Sequence, residues 1–457
     1  MSGHDARTGG RTGSAAIHGA GGIGHGGVAD VLIVGAGIIG AACADALSAR
    51  GLRVTVVEQE VVGSGATAAG MGHLVVMDDN AAELALSAWS LELWREFVAG
   101  QPARHEYSPC GTIWVAADDE EMAAARVKQQ TMAAHGLPCR MLDAQELYER
   151  EPQLRPGLAG GVLVDGDGLV YPPKSARILM DRAIARGARL VSGTVVRIEG
   201  CGDSNSGSPR NSGFGGSVGM GQDSGGGSNG AYEGGAGGAE PSCGGSGAAP
   251  NGRAPSGGNC VVLADGTRLQ AGSIVLAAGS RSPALLAELP VQPKKGHVAI
   301  TDRYPGFIRH QLVELGYIKS AHAASGDSVA FNLQPRPTGQ ILIGSSRQFG
   351  TTDLAVDHAM MARMLRHAAS FTPALAGMNV LRCWTGLRAA SPDGLPIIGP
   401  HPARPGLWLA TGHEGLGITT SLATAQLLAA QMVDETAPIP ALPYLPARFS
   451  HLRSAHA

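Results

Sequence analysis

A chain of 457 residues has room for two or three domains, and a hydrophobic share of 44% excludes a wholly disordered protein. Net charge is −3 with only 16% charged residues, so the chain carries no basic field of the kind that attracts nucleic acid. Seven cysteines without a CxxC pair, no secretory h-region and no apolar run of spanning length lead us to expect a cytoplasmic protein that is not integral to a membrane.

Glycine marks the organisation, because 10 of the 68 fall in residues 1–30 and 21 in residues 201–260. Residues 1–29 read as a disordered Gly/His-rich tail, whose His4, His18 and His25 lack the spacing of a metal site. Asp30 to Val34 and Arg53 to Val57 are apolar strands around a helix from Ile38 to Arg50, a first βαβ unit. Ala82 to Val98 reads as an amphipathic helix, with Met77-Asp78-Asp79-Asn80 as its N-cap region. Asp143 and Glu146 form a capping-box signal for a helix ending near Glu151, and another helix runs from Pro172 to Arg186.

Residues 201–259 have Gly/Ser-rich linker composition, yet strand-like segments flank them and a turn at Asp265-Gly266 follows. The segment therefore interrupts a hairpin within one domain, a tolerated expansion because loop closure grows costlier only slowly with length. Residues 296–350 break into short strands separated by turns, which indicates a mostly antiparallel sheet. Pro396 to Ile398 and Leu407 to Ala410 are strands that lead into Gly412 to Gly417 and a long helix.

Gly35, Gly37 and Gly40 make G-x-G-x-x-G directly after a strand and at the mouth of a helix, and Glu58 ends the next strand. The first glycine permits the tight turn, the second admits a pyrophosphate to the backbone and the third allows close helix packing. Glu58 is placed to accept from an adenosine ribose hydroxyl. The small-residue run Gly63 to Leu74 lets backbone lie against a flat ring system, and the helix after Gly417 can stabilise negative charge on a reduced flavin. His73 and His413 are read as hydrogen-bonding or packing residues, His297 and Lys295 are placed either on the substrate-side sheet near the ring or at the surface, and no metal-ligand spacing is present.

GAGIIG with Glu58, GATAAGM, the LAAG strand and W-x-G-L-R…PDGLPIIG…GH…G-I together resemble the glycine oxidase/D-amino-acid oxidase (DAO) family of FAD enzymes. The resemblance spans Asp30 to about Val433 apart from the glycine-rich insert. It implies an α/β protein, α+β overall, with a Rossmann-like FAD-binding domain from residues 30–75, 150–200, 260–290 and 378–440. An inserted, mostly antiparallel substrate domain is expected from 76–149 and 291–377. The implied FAD contacts are Gly35, Gly37, Ile38, Ile39, Gly40, Glu58, Gln59, Ala66, Thr67, Ala69, Gly70, Met71 and Val196. Ala278, Gly279, His413, Glu414, Gly415, Leu416, Gly417, Ile418 and Thr419 complete them. Thr67 occupies a position where histidine can carry a covalent flavin, so a non-covalent FAD is implied.

Arg388 matches the arginine that holds a substrate carboxylate, whereas Gly415 stands where glycine oxidase-like members often place a second arginine. The implied reaction is oxidation of the C–N bond of an amino or imino acid by hydride transfer to flavin, with oxygen, a quinone or an electron-transfer subunit as acceptor. AGMGHLVVMDDN and GDGLVYPP look most similar to D-hydroxyproline dehydrogenases, which implies cis-4-hydroxy-D-proline or a related D-amino acid. The alternatives are a glycine or sarcosine oxidase, a non-catalytic flavoprotein subunit, or an NAD-dependent dehydrogenase. Arg388 argues against the subunit, which needs no carboxylate clamp.

Overall fold

The strand Ala29–Val34 ends in four successive buried residues, and a run without alternation forms only where both faces are covered. In the computed structural model, which describes residues 28–77, 80–200, 258–316, 326–449 and 452, both covers are present. On one face, helix Ile38–Ala49 lies between Pro172–Ala185 and Gly417–Met432, and Ala81–Ala99 backs the last of these. On the other, Leu32, Val34 and Val57 pack with Val261 and Leu263 of an antiparallel extension.

The sheet order is 397–400, 407–411, 268–276, 29–34, 54–58, 189–192, with parallel pairing from 407–411 through to 189–192. The chain leaves the central strand to one side first and returns on the other, so a crevice opens at its carboxyl end. The extension is built from Val195–Glu199, Asn259–Leu263 and the start of Arg268–Leu276. It turns at Gly266, whose φ of 84° is left-handed and suits glycine. The tail and the insert, including residues 1–27 and 201–257, lie outside the described residues, as do Asp78 and Asp79.

A second sheet runs 380–390, 292–301, 341–347, 328–335, 311–314, 112–116, 160–164, 140–143, antiparallel except where 311–314 meets 112–116. The observed elements follow the expected ones closely. Asn80 caps its helix by accepting from Glu83 N at 2.9 Å, and Asp143 and Glu146 form the reciprocal capping box.

Three assignments need correction. Gly160–Val164 and Val380–Ala390 belong to the antiparallel sheet, not with the cofactor-binding segments, because each pairs along its length with strands of that sheet. Helix Ala81–Ala99 packs on Gly417–Met432 instead of joining the substrate domain, and Trp94 Nε1 anchors it by donating to Thr419 O at 3.0 Å. Apolar pattern identifies a strand or helix but not the layer it joins.

Candidate active site

A cavity of about 990 Å³ opens at the carboxyl ends of the parallel strands and is closed on its far side by the antiparallel sheet. Its floor is backbone. Gly35 has φ of 101° and a Cβ there would lie 2.7 Å from Ala277 O, so only glycine lets the two strand ends approach. A Cβ on Gly40 would fall 1.9 Å from Gly35 O, which makes this glycine a packing requirement of the turn. The N-cap of helix Ile38–Ala49 is Gly37, which has no side chain to cap it, and Gly37, Ile38 and Ile39 line the cavity, an anion site by geometry.

Glu58 is buried at the end of its strand, where Oε2 accepts from Ala36 N at 2.6 Å and Oε1 from Glu60 N at 2.9 Å. These bonds fix the carboxylate at the cavity wall, with lone pairs left for a ribose hydroxyl. Thr67 accepts from Ile38 N at 2.9 Å and ties the small-residue helix Ala66–Ala69 to the turn. Gly70 would collide with Ile418, and Gly386 with Ala69, were either given a Cβ. Trp384 Nε1 donates to Ala69 O at 3.1 Å, joining this floor to the antiparallel wall.

A second helix, Gly417–Met432, points its first residues into the same space. His413 is buried beside it, Nε2 3.1 Å from Thr424 Oγ1, and burial pushes its pKa down to about 3. His73 is pushed down to about 4, chiefly by burial and further by the charge of Arg388, against a contact with Asn332 that raises it. Both rings are therefore neutral at neutral pH.

Arg388 projects from Val380–Ala390, with Nη1 donating to Ser346 O at 2.9 Å. Gly296 on the neighbouring strand makes room, since a Cβ there would be 2.7 Å from the guanidinium nitrogens. Beside it, Lys294 Nζ donates to Glu414 Oε1 at 3.1 Å, and Arg347 Nε lies 3.7 Å from that oxygen. Sequence reasoning missed Lys294, Arg347 and Gly296, and the signal was the two-residue period that places 292, 294, 296 and 298 on the cavity face.

The model of the family described as "FAD dependent oxidoreductase" (DAO) matches residues 30–212 and 251–431. The chain belongs to this family. It is 27% identical over 428 residues to glycine oxidase from Pseudomonas aeruginosa, covering 91% of this chain and 98% of the relative. It is also 27% identical to hydrogen cyanide synthase subunit HcnC of the same organism, covering 92% and 96%. The crystal structure of glycine oxidase from Geobacillus kaustophilus superposes with a TM-score of 0.72 at 24% identity, covering 92% and 99%, and supports the shared fold.

The DAO chain is thus an FAD enzyme, and the helix N-terminus, glycine turn and fixed Glu58 fit the cofactor. Of the expected contacts, those at 35, 37–39, 58, 59, 66, 67, 69–71, 278, 279 and 413–418 line the cavity together with Arg388. Three do not. Gly40 acts behind the turn, and Thr419 is turned away, donating to His73 O at 2.9 Å. Val196 is 52% exposed, and Gly193, Thr194 and Val195 line the cavity in its place. Strand alternation sends Val196 outward, a one-residue displacement that periodicity alone does not settle.

His297 and Lys295 are buried on the opposite strand face from the cavity, where His297 Nδ1 meets Ser346 Oγ at 2.9 Å and Lys295 pairs with Asp353 at 3.0 Å. Among the described residues no His, Cys, Asp or Glu group is placed to hold a metal ion, and no helix is long and apolar enough to cross a membrane.

Proposed function

We propose that the enzyme oxidises the C–N bond of a small amino or imino acid whose carboxylate is held by Arg388. The supporting observation is the placement of this guanidinium on the wall of the same cavity that the N-terminal residues of helices Ile38–Ala49 and Gly417–Met432 line. Bound FAD supplies the two-electron acceptor for the hydride that leaves the substrate carbon.

The residues of the chain do the rest. Arg388 is planar, and a bidentate pair with the carboxylate orients the Cα–H bond, which lysine does not reproduce. Met71 and Val298 line the cavity and are backed by Leu342, which keeps the adjoining wall apolar. His73 is neutral and is able to accept a hydrogen bond from the substrate amine. A substrate arriving as the neutral amine needs no dedicated base.

The motif resemblance supports cis-4-hydroxy-D-proline or a related D-amino acid, and the likeness to glycine oxidases supports glycine and sarcosine. The test is an anaerobic screen of these compounds and of L- and D-amino acids at large, following flavin bleaching. Bleaching by free acids, with the matching amides much slower, is the expected result. Bleaching by none, or equally by acids and amides, overturns the reading. Acid precipitation of the same protein is expected to release FAD, because Thr67 offers no covalent attachment. Flavin retained on the polypeptide overturns that part.

A further inference from the structure

The wall around Arg388 carries more positive charge than one carboxylate needs. Three neighbouring strands, Val380–Ala390, Gln292–Thr301 and Ile341–Arg347, face the cavity with Arg388, Lys294 and Arg347, and none of the three contains an aspartate or glutamate. Lys294 and Arg388 are register partners, which puts their Cβ atoms about 5 Å apart on one face. Like charges directly opposite are destabilising in a sheet, so the pairing calls for anions on that face.

One anion comes from the loop that adjoins the Arg388 strand. Glu414, in the loop before Gly417–Met432, has φ of 46°, and its N–H donates to Ala389 O at 2.7 Å. The loop geometry thereby fixes a carboxylate between Lys294 and Arg347, at 3.1 and 3.7 Å. The side chains are 22% exposed for Lys294, 12% for Arg347 and 17% for Glu414, so solvent screens them little. Gly415 leaves the rim beside Arg388 clear, since a Cβ there would come only to 4.0 Å of Nε.

Among the described residues, two cations and one carboxylate leave this group with a net positive charge, which a second carboxylate would neutralise. Ammonium and guanidinium have several donors each, so they can bind Glu414 and a ligand oxygen at once. We propose that Lys294 and Arg347, set in place by Glu414, form a second anion subsite beside Arg388, and that the substrate is an amino or imino acid with a second carboxylate. The inference rests on the amino-acid reading above and narrows it at the side chain. A ring hydroxyl brings no charge, so on this reading neutral substrates such as cis-4-hydroxy-D-proline react less efficiently than acidic ones.

The test compares the holoenzyme's kcat/KM for acids and partners that lack the second charge, D-glutamate against D-glutamine, the L-pair likewise, and iminodiacetate against sarcosine. At least one acid is expected to exceed its neutral partner roughly 10- to 100-fold, the scale of a charge-assisted contact. The double variant Lys294→Met, Arg347→Met is expected to bring that ratio near one while the neutral partner still bleaches the flavin. Thermal unfolding gives a readout independent of turnover: succinate should raise Tm of wild type more than succinamate does, and should not in the double variant. Parity of acids and neutral partners in wild type, or a preference that survives the double variant, overturns the subsite and leaves the Arg388 reading standing. Absence of bleaching by every amino acid overturns the Arg388 reading instead, and succinate stabilisation then judges the subsite alone. If the double variant does not retain FAD, Lys294→Gln and the wild-type ratios decide.

Discussion

On the parallel side the cavity is lined largely by backbone, at two helix ends and glycines at 35, 37 and 70, whereas on the antiparallel side it is lined by side chains, those at 294, 347 and 388 among them. The difference follows from how each sheet is covered. Parallel strands buried on both faces have only their ends to offer, and those ends meet helix N-termini. An antiparallel sheet with one face free for the cavity presents every second side chain to it, so its chemistry changes without moving the scaffold. The comparison teaches that the cofactor half is fixed by geometry and the substrate half by residue choice.

The largest expected effect breaks the side-chain half alone. Arg388→Ala should keep FAD and lose roughly 10² to 10⁴ in kcat/KM, about 3 to 5 kcal/mol of transition-state binding, with only partial recovery in Arg388→Lys. Near wild-type turnover of the alanine variant would remove the carboxylate clamp from the mechanism. Gly40→Val should do the reverse, breaking the backbone half. The added atoms meet Gly35 O, and overpacking of this kind costs about 1 to 3 kcal/mol, read as a lower Tm and weakened FAD retention. An unchanged flavin-to-protein ratio and Tm would show that the turn yields more easily than its contacts imply.

These two halves were unequally legible in the sequence. Gly35, Gly37, Gly40 and Glu58 could be read because a glycine turn between strand and helix is local, its parts lying within one βαβ unit. Arg388 was legible only through its motif. Lys294 and Arg347 were not, because Glu414 and the register of three strands bring them together from segments far apart in the chain. The same limit explains Val196, where the strand was foreseen but its outward face was not. It also explains Gly160–Val164 and Val380–Ala390, whose apolar patterns name a strand without naming its sheet.

A smaller effect is a slope with pH. His413 takes its proton near the ordinary imidazole value of 6.5 when unfolded but only at about 3 when folded, because burial disfavours the charged ring. Between those values the unfolded state binds more protons, so stability rises with pH, and His413→Gln should flatten the curve below 6.5. Equal slopes for variant and wild type in urea titrations would assign the pH dependence to other groups. The smallest effect is expected from deleting residues 203–257 with a short Gly/Ser joint, which should leave FAD content and flavin reduction nearly unchanged. Loss of FAD on deletion would tie the insert to the backbone half of the cavity.

The register of the extension carries a further consequence. Glu199 and Cys260 are direct partners on adjacent antiparallel strands, so the two ends that flank residues 201–257 are neighbours. Strand Arg268–Leu276 follows residues 201–257 in the chain and lies between Ala29–Val34 from before them and Leu407–Thr411 from after them. Neither portion can complete the parallel sheet or its cavity alone, and both can if they meet. The protein is therefore suited to fragment complementation: residues 1–200 and 258–457, expressed as separate chains, should regain FAD only when brought together, so that yellow colour reports their assembly.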